Sequence, residues 1–387
     1  MNTATVPSDP TARRMRIRAM RYLLAFTGPA LAWWGLTSHA IATWALPLYG
    51  FVLAPLLELL LKPDHSRLSD GEEAAALADP LYDVLLIAFV PVQWATLLLF
   101  LFTVNEPGLL PWEIAGRIAT MGFMCGVYGI NIAHELGHRA TRWERNLART
   151  LLLSSLYMHF IIEHNRGHHR RVATPDDPAS ARFGENLYFF WVRTIVFSFL
   201  SAWRIEAERL RKENSSAFGV NNEMIRFLFL ETVFVAAVLL LFGAQVLLSF
   251  LAAALIGILL LETVNYIEHY GLGRLLNERG TYGRVQHVHS WNSDHLIGRL
   301  MLFELTRHSD HHYMASRKYQ VLRSEVEGPQ LPTGYPGMMI LSLIPPLWFR
   351  TVDPIIIRLA EQHPTLTFAR GTSRPHQDTS SGNTAVA

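Results

Sequence analysis

Nine of the seventeen histidines stand at spacings that suit metal binding. They form three clusters, His134-Glu-Leu-Gly-His138, His164-Asn-Arg-Gly-His168-His169 and His308-Ser-Asp-His311-His312, with His269 alone in Asn265-Tyr-Ile-Glu-His-Tyr-Gly271. Spacings of i,i+3 and i,i+4 share a helix face. His134/His138, His164/His168 and His308/His311/His312 are therefore each expected to present imidazoles to one point, while doubled histidines can serve two. One ion takes at most about six nitrogen donors, and structural zinc usually four, so convergence of all nine implies two metal ions. Imidazole without thiolate suits iron, copper or zinc. The single cysteine, Cys125, excludes an internal disulfide, a Cys-based zinc ribbon, an iron–sulfur cluster or a rubredoxin-type site. Any electrons must come from another protein.

Each cluster carries a carboxylate: Glu135, Glu163, Glu268 and Asp310. Metal-bound imidazoles usually donate their second N–H to such partners, and that role is expected of these four. His134-Glu135-x-x-His138 also fits the zinc-protease pattern, with the glutamate as general base. An intramembrane zinc metalloprotease is thus a rival reading, but it leaves His164, His168, His169, His308, His311 and His312 largely without work.

The elements that position these residues are read from composition. Half of the 387 residues are apolar and 17% are charged, with a mean hydropathy of +0.18, a balance typical of membrane proteins. Runs at 22–38, 41–61, 84–104, 114–134, 224–243 and 246–266 approach or exceed the roughly 20 residues that cross a bilayer. The fold class expected is an all-α integral membrane protein with six transmembrane helices and a cytoplasmic histidine-box cap made from 135–223 and 267–360. Residues 1–20 form a basic cytoplasmic N-terminus, 21–360 a single membrane-embedded domain, and 361–387 a disordered tail, most polar over 371–387. Arg13, Arg14, Arg16, Arg18 and Arg21 precede the first run, so the positive-inside rule puts both termini in the cytoplasm of a bacterial-type inner membrane. Arg117, at the outer end of the fourth run, breaks the charge pattern. Residues 147–163 are apolar enough to pass for a span but would put the later histidines on the wrong side, so they are read as a re-entrant or interfacial helix. Gly122 and Gly126 form a G-x-x-x-G on the fourth run. A leader peptide is not expected, since the first residues lack an apolar stretch, and neither is a nucleic-acid partner.

The set of motifs closely resembles the integral-membrane alkane monooxygenases. The resemblance spans roughly residues 20–350 and rests on the first box with Arg139, Glu163-His-Asn-Arg-Gly-His-His169 followed by Ala173-Thr-Pro-Asp-Asp-Pro178, Asn265-Tyr-Ile-Glu-His-Tyr-Gly-Leu272, Leu305-Thr-Arg-His-Ser-Asp-His-His312, Ser290-Trp-Asn-Ser-Asp-His295 and Leu331-Pro-Thr-Gly-Tyr-Pro-Gly337. The Asn-Tyr-Ile-Glu-His-Tyr-Gly element separates it from the histidine-box fatty-acid desaturases and hydroxylases, which remain an alternative. The family's usual His-His before Ser-Trp-Asn reads Val288-His289 here.

By that resemblance His134, His138, His164, His168, His169, His269, His308, His311 and His312 would hold two non-haem Fe ions. The protein would use O₂ to hydroxylate the terminal methyl of an alkane drawn from membrane lipid. Rubredoxin, reduced by rubredoxin reductase, would supply electrons. Arg139, Arg142, Arg166, Arg170 and Arg171, with Arg145 and Arg149, are candidate docking charges for that acidic donor. Gly50, Phe51 and Ala54, beside Pro55, are candidates for setting the depth of the alkane pocket, and Gly50→Trp is expected to shorten the preferred alkane.

Overall fold

The computed structural model describes residues 10–326 and 328–369, and helices dominate it. The expectation for 371–387 lies outside the described residues. Among the described residues, four helices are long and apolar enough to cross a membrane: Ala40–Leu60, Leu81–Thr103, Glu223–Phe242 and Ala244–His269. They coincide with the expected runs 41–61, 84–104, 224–243 and 246–266. The runs 22–38 and 114–134 fall within continuous helical stretches, 10–37 and 111–137, that do not reach the same apolar measure. For 111–137 the cause is interior polarity. Glu113, Arg117, Thr120, Asn131, His134 and Glu135 are all buried along it, so this helix sits among other helices and satisfies its polar groups there.

Its closest neighbour is Ala244–His269, and glycines make the approach possible. A Cβ on Gly122 would stand 2.5 Å from the Ile256 side chain, one on Gly126 would stand 2.8 Å from the Gly257 carbonyl oxygen, and one on Gly257 would stand 2.5 Å from Cys125 Cβ. The G-x-x-x-G pattern thus marks a tight helix crossing. Arg117 is fully buried. Its guanidinium donates to the carbonyls of Thr103 and Ser38 and pairs with Glu106 at 3.2 Å, so the charge that broke the expected pattern is spent tying two interhelical turns together.

Among the described residues, three helices contain a wide π-type turn: Tyr49–Leu53, Met124–Ile130 and His164–His168. Such turns are uncommon and gather at functional sites. All three lie at the cavity or the histidines described below.

The rest of the chain forms the cap. The expected single helix over 147–163 is two pieces, Arg142–Ser154 and a helical stretch over 160–171, because the backbone turns at Leu156 with φ of 52°. A helix that the apolar runs did not announce, Leu187–Lys212, presents Phe189, Val192, Val196 and Phe197 to the exterior. Arg193 interrupts its apolar first half, and Arg204, Arg209 and Arg211 follow, so no uninterrupted apolar run of bilayer length exists to find. The expected tail over 361–387 is ordered at its start. The helix Pro345–Gln362 leads into strand Leu366–Phe368, which pairs antiparallel with Leu272–Arg274 directly after His269. Leu366 is buried against Tyr270 and Trp348 in the cap's own core, which is why the chain is held there.

Behind the third box lies a buried ion network. Glu304 takes Arg299 at 2.7 Å and the Tyr22 hydroxyl at 2.7 Å, while Arg307 takes Asp294 at 3.0 Å. It fastens the segment before His308 to the helical stretch 10–37.

Candidate metal centre

The nine histidines converge at one end of the helix bundle and divide into two groups with no member in common. His134, His138, His164, His169 and His311 form one; His168, His269, His308 and His312 form the other. Within the first, Nε2 atoms approach at 2.9 Å for His134/His311, 3.1 Å for His138/His164, 3.0 Å for His164/His169 and 3.1 Å for His169/His311. Within the second, His308 Nε2 lies 3.1 Å from His269 and 2.9 Å from His312. Two nitrogens bound at adjacent corners of an octahedral ion, each at about 2.1 Å, stand about 3.0 Å apart. The spacing is that of donors around a shared centre.

The grouping differs from the expected one in two boxes. His164 and His168 were expected to share a point; instead His164 pairs with His169. The π turn explains this, for the His169 N–H bonds to the His164 carbonyl, an i→i+5 ring that brings residues five apart onto one face and turns His168 to the other group. In the third box the α-helical turn His308–Tyr313 keeps His308 with His312 at i,i+4 and sends His311 across to the first group. The doubled histidines do serve two points.

The carboxylates also fall differently. Glu135 pairs with Arg139 at 2.9 Å and accepts the Tyr319 N–H, Glu163 holds Arg171 and the His168 N–H, and Asp310 holds Arg317 and the Arg323 N–H. These three brace the backbone around the boxes, and none is bonded to one of the nine box imidazoles; Asp310 faces a different one, His287, at 3.6 Å. Glu268 lies 3.1 Å from His308 Nε2, the nitrogen facing the second group, and accepts the Tyr335 hydroxyl at 2.7 Å. The acid that grips an imidazole from behind is Asp177, 2.8 Å from His168 Nδ1. It was within the quoted Ala173–Pro178 segment, but only the fold of that loop brings it to His168.

Burial, and then the neighbouring imidazoles, holds His164, His169, His311 and His312 far below the ordinary imidazole range, and burial does the same for His308. Burial thus favours the uncharged ring, the form that ligation requires. His168 Nε2 is buried with no hydrogen-bond partner while its Nδ1 is taken by Asp177, a donor atom aimed at an ion.

An apolar cavity adjoins the site. Gly50, Phe51 and Ala54 all line it, together with Tyr49, Phe123, Val127, Leu260 and Met301, and Asn131, Leu305 and Tyr335 lie where it meets the histidine-bearing segments. The three expected pocket residues are therefore brought together.

Residues 109–341 match the sequence profile of the fatty acid desaturase family. The chain is 41% identical over 342 residues to alkane 1-monooxygenase 1 of Pseudomonas aeruginosa, covering 86% of this chain and 88% of that one. It is 38% identical over 331 residues to alkane 1-monooxygenase 2 of Alcanivorax borkumensis, covering 84% and 86%. The chain belongs to the alkane monooxygenase family. A more distant likeness, 31% over 242 residues covering 62% and 64%, is to the hydroxylase component of the Pseudomonas putida xylene/toluene monooxygenase.

For an alkane monooxygenase the histidine clusters are a metal site, and iron is the family's metal. The residues present fit it: imidazole donors in two groups, mutually spaced as around a shared centre, with the orphaned His168 nitrogen accounted for. The chain is an oxidoreductase of the membrane.

The candidate docking arginines separate into two kinds. Arg139 is buried between Glu135 and Asp83, and Arg171 is held by Glu163 and Ser201, so neither is a free surface charge. Arg166 bridges Glu206 and Glu223 at the surface, whereas Arg142 and Arg170 are exposed and make no ion pair among the described residues. His138, half-buried, opens onto a basin bordered by Arg145, Arg149 and Arg166.

Proposed function

We propose that this protein hydroxylates the terminal methyl of alkanes to primary alcohols, using O₂ and electrons delivered by rubredoxin and its reductase. The observation that carries the reading is the meeting of two disjoint histidine groups with an apolar cavity that lies between helices. The names of its relatives, alkane 1-monooxygenases, support the substrate class.

Two non-haem irons, when bound, supply an oxidant for a C–H bond that has no acidic proton and no polar handle. His134, His138, His164, His169 and His311 would hold one iron; His168, His269, His308 and His312 would hold the other, with Glu268 placed to add an oxygen donor. Asp177 fixes the tautomer of His168 and raises its basicity. The apolar cavity admits a hydrocarbon end-on, keeps water out, and leaves a chain end as the part that reaches Asn131 and Leu305; selectivity for the terminal carbon follows from that shape. Glu135 is engaged by Arg139 and the Tyr319 N–H, a poor posture for the base of a protease.

Six spans with both termini in the cytoplasm of the inner membrane, and a single membrane-embedded domain over 21–360, accord with the basic N-terminal residues and with the histidines gathering at one end of the bundle. On that orientation the cap faces the cytoplasm, and Arg142 and Arg170, with Arg145 at the basin of His138, present positive charge to an acidic electron donor, while Arg149 and Arg166 are already paired with Glu223. Turnover of an n-alkane under ¹⁸O₂ with rubredoxin, its reductase and NAD(P)H should give the 1-alkanol carrying one labelled oxygen. Unlabelled alcohol, an unsaturated product, or peptide cleavage in place of alcohol would refute the proposal.

A further inference from the structure

On the helical stretch 111–137, the residues facing the cavity run from Asn131 back to Phe123. Phe123 is the farthest of them from the histidines, roughly 15 Å along the helix axis from His134. Gly50 faces it from Ala40–Leu60: a Cβ there would stand only 2.4 Å from Phe123 Cε1 and 3.0 Å from Cζ. Phe51 meets the same ring edge-on, centroids 4.9 Å apart at an interplanar angle of 77°. Phe123 is buried, and the π turns Tyr49–Leu53 and Met124–Ile130 set the two backbones around it.

We propose that Phe123 sets the length of alkane this cavity accepts, and that Phe123 and Gly50 form a size-complementary pair: residue 50 is glycine because the ring already fills the space opposite. The inference rests on the reading that the cavity holds an alkane. An alkane offers no polar group to recognise, so filled volume alone can discriminate, and each methylene buried is worth about fourfold in affinity. The sequence-based expectation for Gly50→Trp changes accordingly. An indole at 50 cannot enter without displacing the Phe123 ring, so its effect depends on residue 123.

The test is a competition among a homologous series of n-alkanes, using the full-length iron-loaded protein in membranes with its electron donor, for wild type, F123A, F123L, G50W and F123A/G50W. F123A should raise the ratio of long-chain to short-chain kcat/KM at least tenfold, with F123L intermediate. G50W should cut turnover of long alkanes, and F123A/G50W should return toward the wild-type profile, a non-additivity that two independent packing defects do not produce. Active F123A and F123L with the wild-type profile, or a double variant that merely sums the single losses, would overturn the pairing. A wild type that makes no terminal alcohol instead overturns the reading of the cavity's substrate. The chain-length dependence of radiolabelled alkane binding to the same variants then still reads the pair, and an unchanged dependence in F123A would overturn it.

Discussion

Single residues divide into those whose atoms face the two histidine-lined centres and those that stand behind the imidazoles. Asp177 stands behind His168 and nothing else replaces it, so Asp177→Asn should lower metal affinity or turnover 10- to 100-fold while leaving the fold intact, checked by iron titration and by circular dichroism. Glu135→Gln should keep its full metal content, because Glu135 grips Arg139 and the Tyr319 N–H; a protease base would make it the lethal change for activity with metal retained and peptide bonds uncut. The spacing of the boxes made the nine imidazoles legible. Their partition was not, because nothing in His164-Asn-Arg-Gly-His-His169 states that the turn widens to i→i+5. Asp177 and Glu268 were equally opaque as to role, since adjacency in the chain says little about which imidazole nitrogen an acid meets.

Elements carry the next set of consequences. The helix crossing at Gly126 and Gly257 has no room for a side chain, so Gly126→Leu is expected to overpack the interface and cost about 1–3 kcal/mol, read as a lower unfolding temperature in detergent. The network at Glu304 gives a pH signature. Burial alone would raise this carboxyl, but Arg299 and then Arg307 outweigh it and bring it down to about 2 from an ordinary 4.5. A carboxyl lowered on folding stabilises fully above about pH 4.5 and loses that contribution as pH falls toward 2, about 3 kcal/mol in all. Glu304→Gln should therefore be less stable at neutral pH and show a flatter stability profile between those values; an unchanged profile in urea unfolding would discount the network. The apolar runs made four membrane-length helices legible at nearly their observed bounds. The helix 111–137 was found by its run yet falls short in apolar measure, because its polar residues are satisfied inside the bundle, and Leu187–Lys212 was missed because Arg193 and the later arginines break its apolar stretch.

For the whole molecule, the proposed reaction needs a route from an electron donor to a hydrocarbon, and the parts offered for it are the arginine-bordered basin at His138, the two histidine groups and the apolar cavity. Reversing charge at Arg142 and Arg170, which make no ion pairs among the described residues, should raise KM for rubredoxin several-fold and weaken its salt dependence. Turnover driven by a small chemical reductant should be untouched, and loss of both activities together would count against a docking role. The family and its chemistry were legible from motifs that local spacing preserves, whereas the shape of the cavity was not, since Phe123 and Gly50 meet only when two helices are set side by side. Iron stoichiometry, measured on purified wild type and on the double variant His308→Ala/His312→Ala, tests the two-site arrangement most directly. With donor sets of five and four imidazoles, two irons per wild-type chain are expected and about one in the double variant, whose second group keeps only His168 and His269, fewer than the three protein ligands that ordinarily hold an ion. A single iron or zinc in the wild type, or an unchanged pair in the variant, would contradict it.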